Sequence, residues 1–263
     1  MNRIYMFLMV IATVLLWSCG TGSNPVEPSR ESDVIFSDGF STYSNGLITN
    51  EFAYWNPNNP NAKHSIIWEL TSGSLFAQNG EGWTGIPDNI GPNALSTNGT
   101  NSAVFRLTTK RSDFRDVSVS FSLLNQNLVE TSITPQSSVD GVHFFLRYQS
   151  EENLYYASIN RRDNTAVIKK KIPGGISNGG TYYELSSYVS HTVPYGSWQN
   201  VTSTIKNNTD GSVSIELYSE GQLVVQANDK GNVGGPPILN AGKLGIRGDN
   251  ANLKFKNFVV KSF

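Results

Sequence analysis

The strongest constraint on the fold is the strict alternation of apolar and hydroxyl side chains over residues 117–123, Val-Ser-Val-Ser-Phe-Ser-Leu. Successive side chains of a β-strand point to opposite faces, so this segment buries one face and exposes the other. From Val34 onward, similar short runs are separated by Gly, Asn, Asp and Pro, and no stretch has sustained helical periodicity. The sequence therefore predicts an all-β protein.

Two groups of consecutive strands are predicted. The first covers residues 141–148, 154–160 and 165–172, and the second covers 198–206, 212–219 and 222–227. Further strands are expected at 242–247 and 253–263. Short strands separated by frequent turns are typical of a two-sheet sandwich or a closed barrel, and periodicity does not choose between them.

Residues 1–18 have the pattern of a secretory leader, with Arg3 followed by an apolar run. The run is about 14 residues long, whereas a membrane-spanning helix needs roughly 20. It ends at Leu16-Trp17-Ser18-Cys19-Gly20, which resembles the lipobox of bacterial lipoproteins except that Trp17 is larger than the residue usual there. The resemblance implies cleavage before Cys19 and a lipid anchor at Cys19, with ordinary secretion as the alternative.

Residues 19–33 are rich in Ser, Pro and charge and predict a flexible tether, which leaves 34–263 as one domain. Cys19 is the only cysteine, so no internal disulfide can form. The chain has 20 cations and 21 anions, and three consecutive lysines at 169–171 are too few for nucleic-acid affinity. We expect a lipid-anchored protein of the bacterial cell envelope, outside the cytoplasm, that does not bind nucleic acid.

Segments along nearly the whole domain match one known fold family in order. They are residues 35–40, 68–76, 142–147, 153–157, 198–201, 213–218, 221–223, 242–247 and 255–260. Together they resemble the concanavalin A-like lectin and glucanase superfamily, particularly the laminin-G-like domains of exported bacterial proteins. The resemblance implies a two-sheet antiparallel jelly-roll sandwich and a role in binding or cleaving glycans, because this fold serves both enzymes and binding modules.

Motifs of two enzyme groups on this fold are absent. The Glu-x-Asp-x-x-Glu strand of laminarinase-like glycosidases, which would flank a glycosidic bond with carboxylates, does not occur. The Arg-rich, Gln-x-His and Tyr-x-Lys-x-Gly-x-Tyr strands of alginate-lyase-like enzymes are also missing, and only Val142-His143 faintly resembles the second. These absences favour a binding module over an enzyme without excluding a divergent enzyme.

Strand alternation collects polar side chains on one predicted sheet face. If Val142, Phe144 and Leu146 face the core, the residues between them and their counterparts on the next two strands face outward. The expected outward set is His143, Arg147, Tyr156, Asn160, Lys169 and Lys171. In the jelly-roll resemblance such a face forms a sugar groove, where cations hold a uronate or a sulfated sugar by charge-assisted hydrogen bonds. The alternative is an ordinary solvated sheet face.

The same set suggests candidate catalytic residues. A β-elimination needs one group to remove a proton and a neighbouring cation to stabilise the developing anion. His143, Tyr156 and Arg147 are the candidates for these tasks.

Two tryptophans are candidates for stacking on sugar rings. Trp83 and Trp55 both lie in segments rich in Gly, Pro and Asn that suit loops at the rim of a groove. The alternative is that each indole is buried and pins its own loop. Trp68 and Trp198 lie on predicted strands, where core packing is favoured.

A metal is not required by any motif. Asp38 near the first strand and Asp249 near the last can supply oxygens for a structural calcium ion if the ends of the domain pair, although both also suit ordinary turns. His64, His143 and His191 lack zinc-ligand spacing. We therefore expect no required cofactor, with structural calcium as the exception.

The sequence favours a lipid-anchored polysaccharide-binding protein with a sugar groove on one sheet face. The first alternative is a polysaccharide-degrading enzyme, a lyase on an anionic glycan more readily than a glycoside hydrolase. The second is a structural or adhesive envelope domain.

Overall fold

The computed structural model describes residues 33–86 and 104–263, and the leader, the tether with Cys19, and residues 87–103 lie outside them. One four-residue helix, α1, spans Phe52–Trp55. The strands, in chain order, are β1 Val34–Asp38, β2 Gly46–Asn50, β3 Trp68–Ser72, β4 Ser74–Gln78, β5 Glu81–Trp83, β6 Val104–Thr109, β7 Val117–Leu128, β8 Gly141–Ser150, β9 Asn153–Ile159, β10 Thr165–Ser177, β11 Gly180–Glu184, β12 Val189–Ser190, β13 Trp198–Asn207, β14 Val213–Ser219, β15 Gln222–Asp229, β16 Lys243–Asp249 and β17 Ala251–Ser262.

The strands form two antiparallel sheets. The nine-stranded sheet has the order β15-β14-β13-β7-β17-β5-β4-β2, with β1 paired to β17. The eight-stranded sheet has the order β11-β10-β9-β8-β16-β6-β3, with β12 paired to β10. The predicted all-β, two-sheet jelly-roll sandwich is confirmed. The strands form two open sheets and not the closed barrel that the periodicity also allowed. No helix among the described residues has the length and apolarity to span a bilayer.

The core lies between the sheets and follows the alternation in the sequence. In β7, Val117, Val119, Phe121 and Leu123 are all buried, while the serines between them are partly exposed. On the eight-stranded sheet, the predicted inward set of β8 and β9 is also in the core, including Val142, Phe144, Leu146, Ala157 and Ile159. Each inward residue sends its neighbour to the opposite face, which we call the outer face of this sheet.

The alternation of β8 breaks at Arg147. Its backbone is left-handed, with φ of 46°, and the pairing registers of β8 with both of its neighbours shift around it. Gly242 allows this irregularity, because a Cβ there would lie 2.5 Å from the carbonyl carbon of Arg147. A bulge of this kind moves every following side chain to the other face. Tyr148, which the simple alternation places inward, therefore packs on the outer face with Phe145.

Arg147 itself points away from the outer face, so the prediction that it lies beside His143 is wrong. Its guanidinium is fully buried and donates hydrogen bonds to Asp116, Asn207 and the carbonyl oxygens of Arg115 and Ile238. Asp116 and Asn207 belong to the side of the sandwich formed by β7 and β13. Arg147 thus joins the two sheets rather than lining a groove.

A second buried cation also joins the sheets. Lys170 of β10 lies 2.8 Å from Asp229 of β15, and neither side chain is more than 1% exposed. Asp229 also accepts a hydrogen bond of 2.7 Å from the Tyr155 hydroxyl. Because a buried charge needs a partner, this pair fixes the inward direction of Lys170 and leaves Lys169 and Lys171 outward.

We expect Asp229→Ala to lower the free energy of unfolding by about 3–5 kcal/mol, because the variant leaves the Lys170 ammonium buried without its carboxylate. Urea denaturation measures the change. The matched control is Asp113→Ala in the exposed Arg111–Asp113 pair, where we expect a loss of no more than about 1 kcal/mol. Equal losses in the two variants would contradict the assigned role of the buried pair.

Candidate functional site

The strand register lines up polar side chains across the outer face of the eight-stranded sheet. Arg106, Arg247, His143 and Ser158 are direct neighbours on β6, β16, β8 and β9. The next row, two residues along each strand, brings Phe145, Tyr156 and Lys169 side by side on β8, β9 and β10. The outer face therefore combines cations, phenols and an imidazole on one rigid sheet.

These side chains surround an open depression of about 170 Å³, which we call the outer-face pocket. Its lining residues are Val139, His143, Tyr156, Ser158, Arg161, Lys169, Tyr182, Arg247 and Asp249. Beside it, Arg106, Tyr148 and Glu151 line a crevice that shares Tyr156 and Arg247 with the pocket but is too narrow to admit a water molecule. The outer face is therefore tightly packed between the pocket and Arg106.

Arg247 is the central cation of the outer-face pocket. Its Nε donates a 2.8 Å hydrogen bond to Asp249 Oδ1, and its Nη1 lies 3.3 Å from both the Tyr156 and the Tyr182 hydroxyl oxygens. Burial raises the pKa of Asp249, but Arg247 and His143 outweigh this effect and hold that pKa well below its usual value. Asp249 is therefore a carboxylate at neutral pH and fixes the guanidinium against the two phenols.

His143 is the second residue in contact with the Asp249 carboxylate. Its Nδ1 lies 2.7 Å from Ser158 Oγ, and its Nε2 lies 3.2 Å from Asp249 Oδ2 without the alignment of a hydrogen bond. Burial lowers the pKa of His143, and Asp249 only partly opposes this shift. The imidazole is consequently neutral near pH 7, with both ring nitrogens facing protein atoms.

Tyr156 and Tyr182 form a pair of phenols with opposite pKa shifts. Their hydroxyl oxygens are 3.2 Å apart. Burial raises the pKa of Tyr156 well above its usual value. Burial also opposes ionisation of Tyr182, but Arg247, the hydrogen bond from Tyr156 and the Lys171 charge together lower its pKa. Two neighbouring titratable groups whose environments separate their pKa values are typical of an acid and base pair.

Two further cations line the outer-face pocket, the partly exposed Lys169 and the buried Arg161. Lys169 Nζ lies 3.4 Å from the exposed carboxylate of Glu184 and 3.0 Å from the Tyr188 hydroxyl. Arg161 is paired with Asp163 at 2.6 Å. An ion pair with an exposed partner is weak, so Lys169 can exchange Glu184 for an anion of a ligand.

Of the residues predicted for the sugar groove, the structure brings His143, Tyr156 and Lys169 together in the outer-face pocket. Lys171 also points outward, but its Nζ donates to the carbonyl oxygen of Glu151 and lies over the Tyr182 ring, beside the pocket. Asn160 is fully buried and contacts His191. The prediction that Asn160 lines this face is therefore wrong, because β9 ends at Ile159 and Asn160 has a left-handed backbone with φ of 52°.

The predicted tryptophans lie on different parts of the molecule. Trp83 is on β5 of the nine-stranded sheet, where its indole donates to Asn252 Oδ1, so its predicted place in a loop at the rim of this groove is wrong. Trp55 ends α1 beside β3 of the eight-stranded sheet and is 37% exposed. Trp68 is fully buried as predicted, whereas Trp198 is 36% exposed rather than packed in the core.

Asp38 and Asp249 do not meet. The ends of the domain do pair, as β1 with β17, but Asp38 accepts hydrogen bonds from buried Trp68 and from Tyr43 between the sheets. Asp249 lies on the outer face with Arg247. The proposed joint calcium site is wrong for this reason, and no cluster of three metal-ligating side chains occurs in residues 33–86 and 104–263.

The sugar-groove residues expected from the sequence do not include Arg247, Tyr182 or Arg161. The alternation of buried Leu244 and Ile246 places Arg247 outward, and this signal was present in the sequence. Tyr182 lies on β11, whose pairing with Lys171 of β10 is a hairpin that the predicted strands did not include.

Comparisons with known proteins address the fold. No protein-family model matches the chain, and no curated protein matches its sequence. A Bacillus subtilis protein of unknown function with a galectin-like fold is 10% identical with a TM-score of 0.54, and the alignment covers 88% of this chain and 98% of that one. A structure from work on endo-acting O-glycanases that initiate mucin breakdown, expressed by human gut bacteria, is 9% identical with a TM-score of 0.54, covering 88% and 100%.

The carbohydrate-binding module CBM66 from Bacillus subtilis is 11% identical with a TM-score of 0.47, covering 74% of this chain and 95% of that one. The two-sheet jelly-roll fold that the resemblance implies is confirmed for this chain. Its structural neighbours include carbohydrate-binding and glycan-degrading proteins.

The low pKa of buried His143 predicts a pH dependence of stability. His143 of the unfolded chain becomes protonated as the pH falls through about 6.5, whereas buried His143 of the folded protein stays neutral to lower pH. The free energy of unfolding therefore decreases with falling pH until the pKa of the folded state is reached. We expect His143→Gln to reduce this decrease, as measured by urea denaturation at a series of pH values. His191, whose pKa burial also lowers, remains in the variant and accounts for a residual slope. An unchanged slope would contradict the neutral, buried state of His143.

Proposed function

We propose that the protein binds an acidic polysaccharide and that one uronate or sulfated unit occupies the outer-face pocket. The observation that carries the proposal is the convergence of three cations with two phenols on one open depression. The lining contains Arg161, Lys169 and Arg247. Arg161 and Arg247 are held by Asp163 and Asp249, whereas Lys169 pairs only with the exposed Glu184 and is the cation that a ligand anion can engage. Cations at hydrogen-bonding distance are the groups that recognise carboxylate and sulfate.

The apolar part of the pocket suits the rest of a sugar. Aromatic rings offer flat apolar area with a polar edge, which matches the C–H faces and hydroxyl groups of a pyranose. Tyr156 and Tyr182 line the pocket, and buried Phe145, Tyr148 and Leu154 pack in one cluster with them. Their mutual packing holds the rings in place before a ligand arrives, which lowers the entropic cost of binding.

The cellular setting is part of the proposal. The leader and the lipobox-like segment around Cys19 support a lipid-anchored protein of the bacterial cell envelope. A flexible tether over residues 19–33 would present the domain outside the cytoplasm to large soluble glycans.

Binding is tested by isothermal titration of the purified protein with uronate-containing, sulfated and neutral polysaccharides. We expect acidic chains to bind and neutral chains to bind at least about tenfold more weakly, since one charge-assisted hydrogen bond contributes about 1.5–3 kcal/mol. Lys169→Gln should lose about tenfold for the acidic chains. Lys206→Gln on β13 of the other sheet is the matched control and should bind as the wild type does. Equal affinity for neutral chains, or full affinity in Lys169→Gln, would overturn the proposal.

The tyrosine pair favours a second candidate function, cleavage of the bound chain by β-elimination. Ionised Tyr182 would remove the proton on the carbon next to the uronate carboxylate, while Arg247 stabilises the developing anion. The electron pair then forms a carbon–carbon double bond as the bond to the bridging oxygen breaks. Tyr156, whose pKa is raised, would donate its proton to the leaving oxygen.

Cleavage is tested by ultraviolet absorbance of the unsaturated ends during incubation with uronate polysaccharides. We expect the rate to rise with pH as Tyr182 ionises and to fall at least about a hundredfold in Tyr182→Phe, which keeps the ring and removes the base. Tyr195→Phe, an exposed phenol outside the pocket, is the control. Tight binding without absorbance would reject cleavage and leave the binding proposal standing.

A further inference from the structure

A second aromatic surface lies at the other edge of the eight-stranded sheet. Tyr54 and Trp55 end the short helix α1, which packs beside β3, the edge strand. Their rings meet edge to face with centroids 4.6 Å apart, and the two residues are 45% and 37% exposed. Exposed aromatic side chains held against each other in this way form a rigid, accessible surface.

Trp55 is fixed in place by more than its neighbour. Its indole nitrogen donates a 2.9 Å hydrogen bond to the carbonyl oxygen of Thr71, the penultimate residue of β3. Beyond it, residues 56–59 have the sequence Asn-Pro-Asn-Asn and, with Trp55, line an open hollow of about 410 Å³. An immobilised indole beside amide side chains offers both a stacking face and hydrogen-bonding groups to a sugar.

The Tyr54–Trp55 surface and the outer-face pocket lie along the same face of the eight-stranded sheet. Tyr54 lines a hollow together with Glu69 of β3. The strand register then places side by side Glu69, Thr108 of β6, Gly245 of β16, Phe145 of β8 and Tyr156 of the pocket. This row of neighbours is a path across the face from the Tyr54–Trp55 surface to the pocket.

The length of this path exceeds a single sugar. β3 lies three strands from β8, in the order β8-β16-β6-β3. At about 4.8 Å per strand, the two edges of the path are roughly 14 Å apart. Between them, Arg106 is paired with Glu151 and Lys243 with Glu69, so the middle of the path is close to neutral.

We propose that Tyr54 and Trp55 form a remote subsite that stacks on sugar units of the same polysaccharide whose acidic unit occupies the outer-face pocket. This inference rests on the proposed binding function. The occupant follows from the shared sheet face, because a glycan chain that is seated in the pocket and extends across β8, β16 and β6 towards β3 reaches the Tyr54–Trp55 surface. The subsite selects for chain length, whereas the cations of the pocket select for charge.

The test is isothermal titration of the purified full chain with oligomannuronates and oligogalacturonates of graded length, from the disaccharide to the octasaccharide. We expect affinity to rise with length until the chain spans the path and then to level off. Trp55→Ala should lower affinity for the longest fragments about three- to tenfold, the factor that corresponds to one aromatic contact, and leave the disaccharide unchanged.

Two further variants make the result decisive. Tyr54→Ala removes an exposed ring while leaving the hydrogen bond from Trp55 to Thr71 intact, so it guards against local unfolding in Trp55→Ala. Trp198→Ala removes an equally exposed indole from the nine-stranded sheet and should change nothing. Binding of the disaccharide with no gain from length, or full affinity of both subsite variants for long chains, would overturn the subsite alone. Absence of binding at every length would overturn the proposed function as well.

Discussion

The site depends on one charge pair held on the outside of a β-sheet, Arg247 with Asp249. Both residues project outward because Leu244 and Ile246, which alternate with them on β16, are buried in the core. Asp249 fixes the guanidinium, and the guanidinium in turn contacts Tyr156 and Tyr182. The rigid pleat of the sheet therefore positions one cation, and that cation organises two phenols that the chain supplies from β9 and β11.

Buried charges elsewhere keep this face in position. Lys170 pairs with Asp229, and Arg147 donates hydrogen bonds to Asp116 and Asn207, so these two buried cations reach across to the nine-stranded sheet. A buried cation of this kind cannot turn outward without leaving its partner unpaired. The inward direction of Lys170 makes Lys169 available at the pocket, and the bulge at Arg147 brings Tyr148 to the outer face. Lys170 and Arg147 do not line the pocket, but their inward directions determine which neighbouring side chains lie on the outer face.

Sequence alone predicts which face of a strand is buried better than it predicts which strands are neighbours in the sheet. The alternation of apolar residues on β7, β8 and β9 was sufficient to place Phe121, Phe144 and Ala157 in the core and His143 and Tyr156 outside. The place of Arg147 was missed because its bulge depends on the close approach of Gly242, a residue distant in sequence. Tyr182 was missed because its closeness to Tyr156 depends on strand order in the sheet. Trp83 was expected in a loop because a three-residue strand gives too weak a periodic signal to be recognised in the sequence.

The proposed function requires that an acidic glycan binds at the outer-face pocket of the eight-stranded sheet. Backbone amide chemical shifts recorded during titration with an acidic oligosaccharide test it most directly. We predict the largest perturbations at His143, Ser158, Lys169 and Arg247, spreading towards Tyr148 as the oligosaccharide is lengthened. Perturbations centred on Trp83 and Trp198, across the sandwich on the nine-stranded sheet, would contradict the claim.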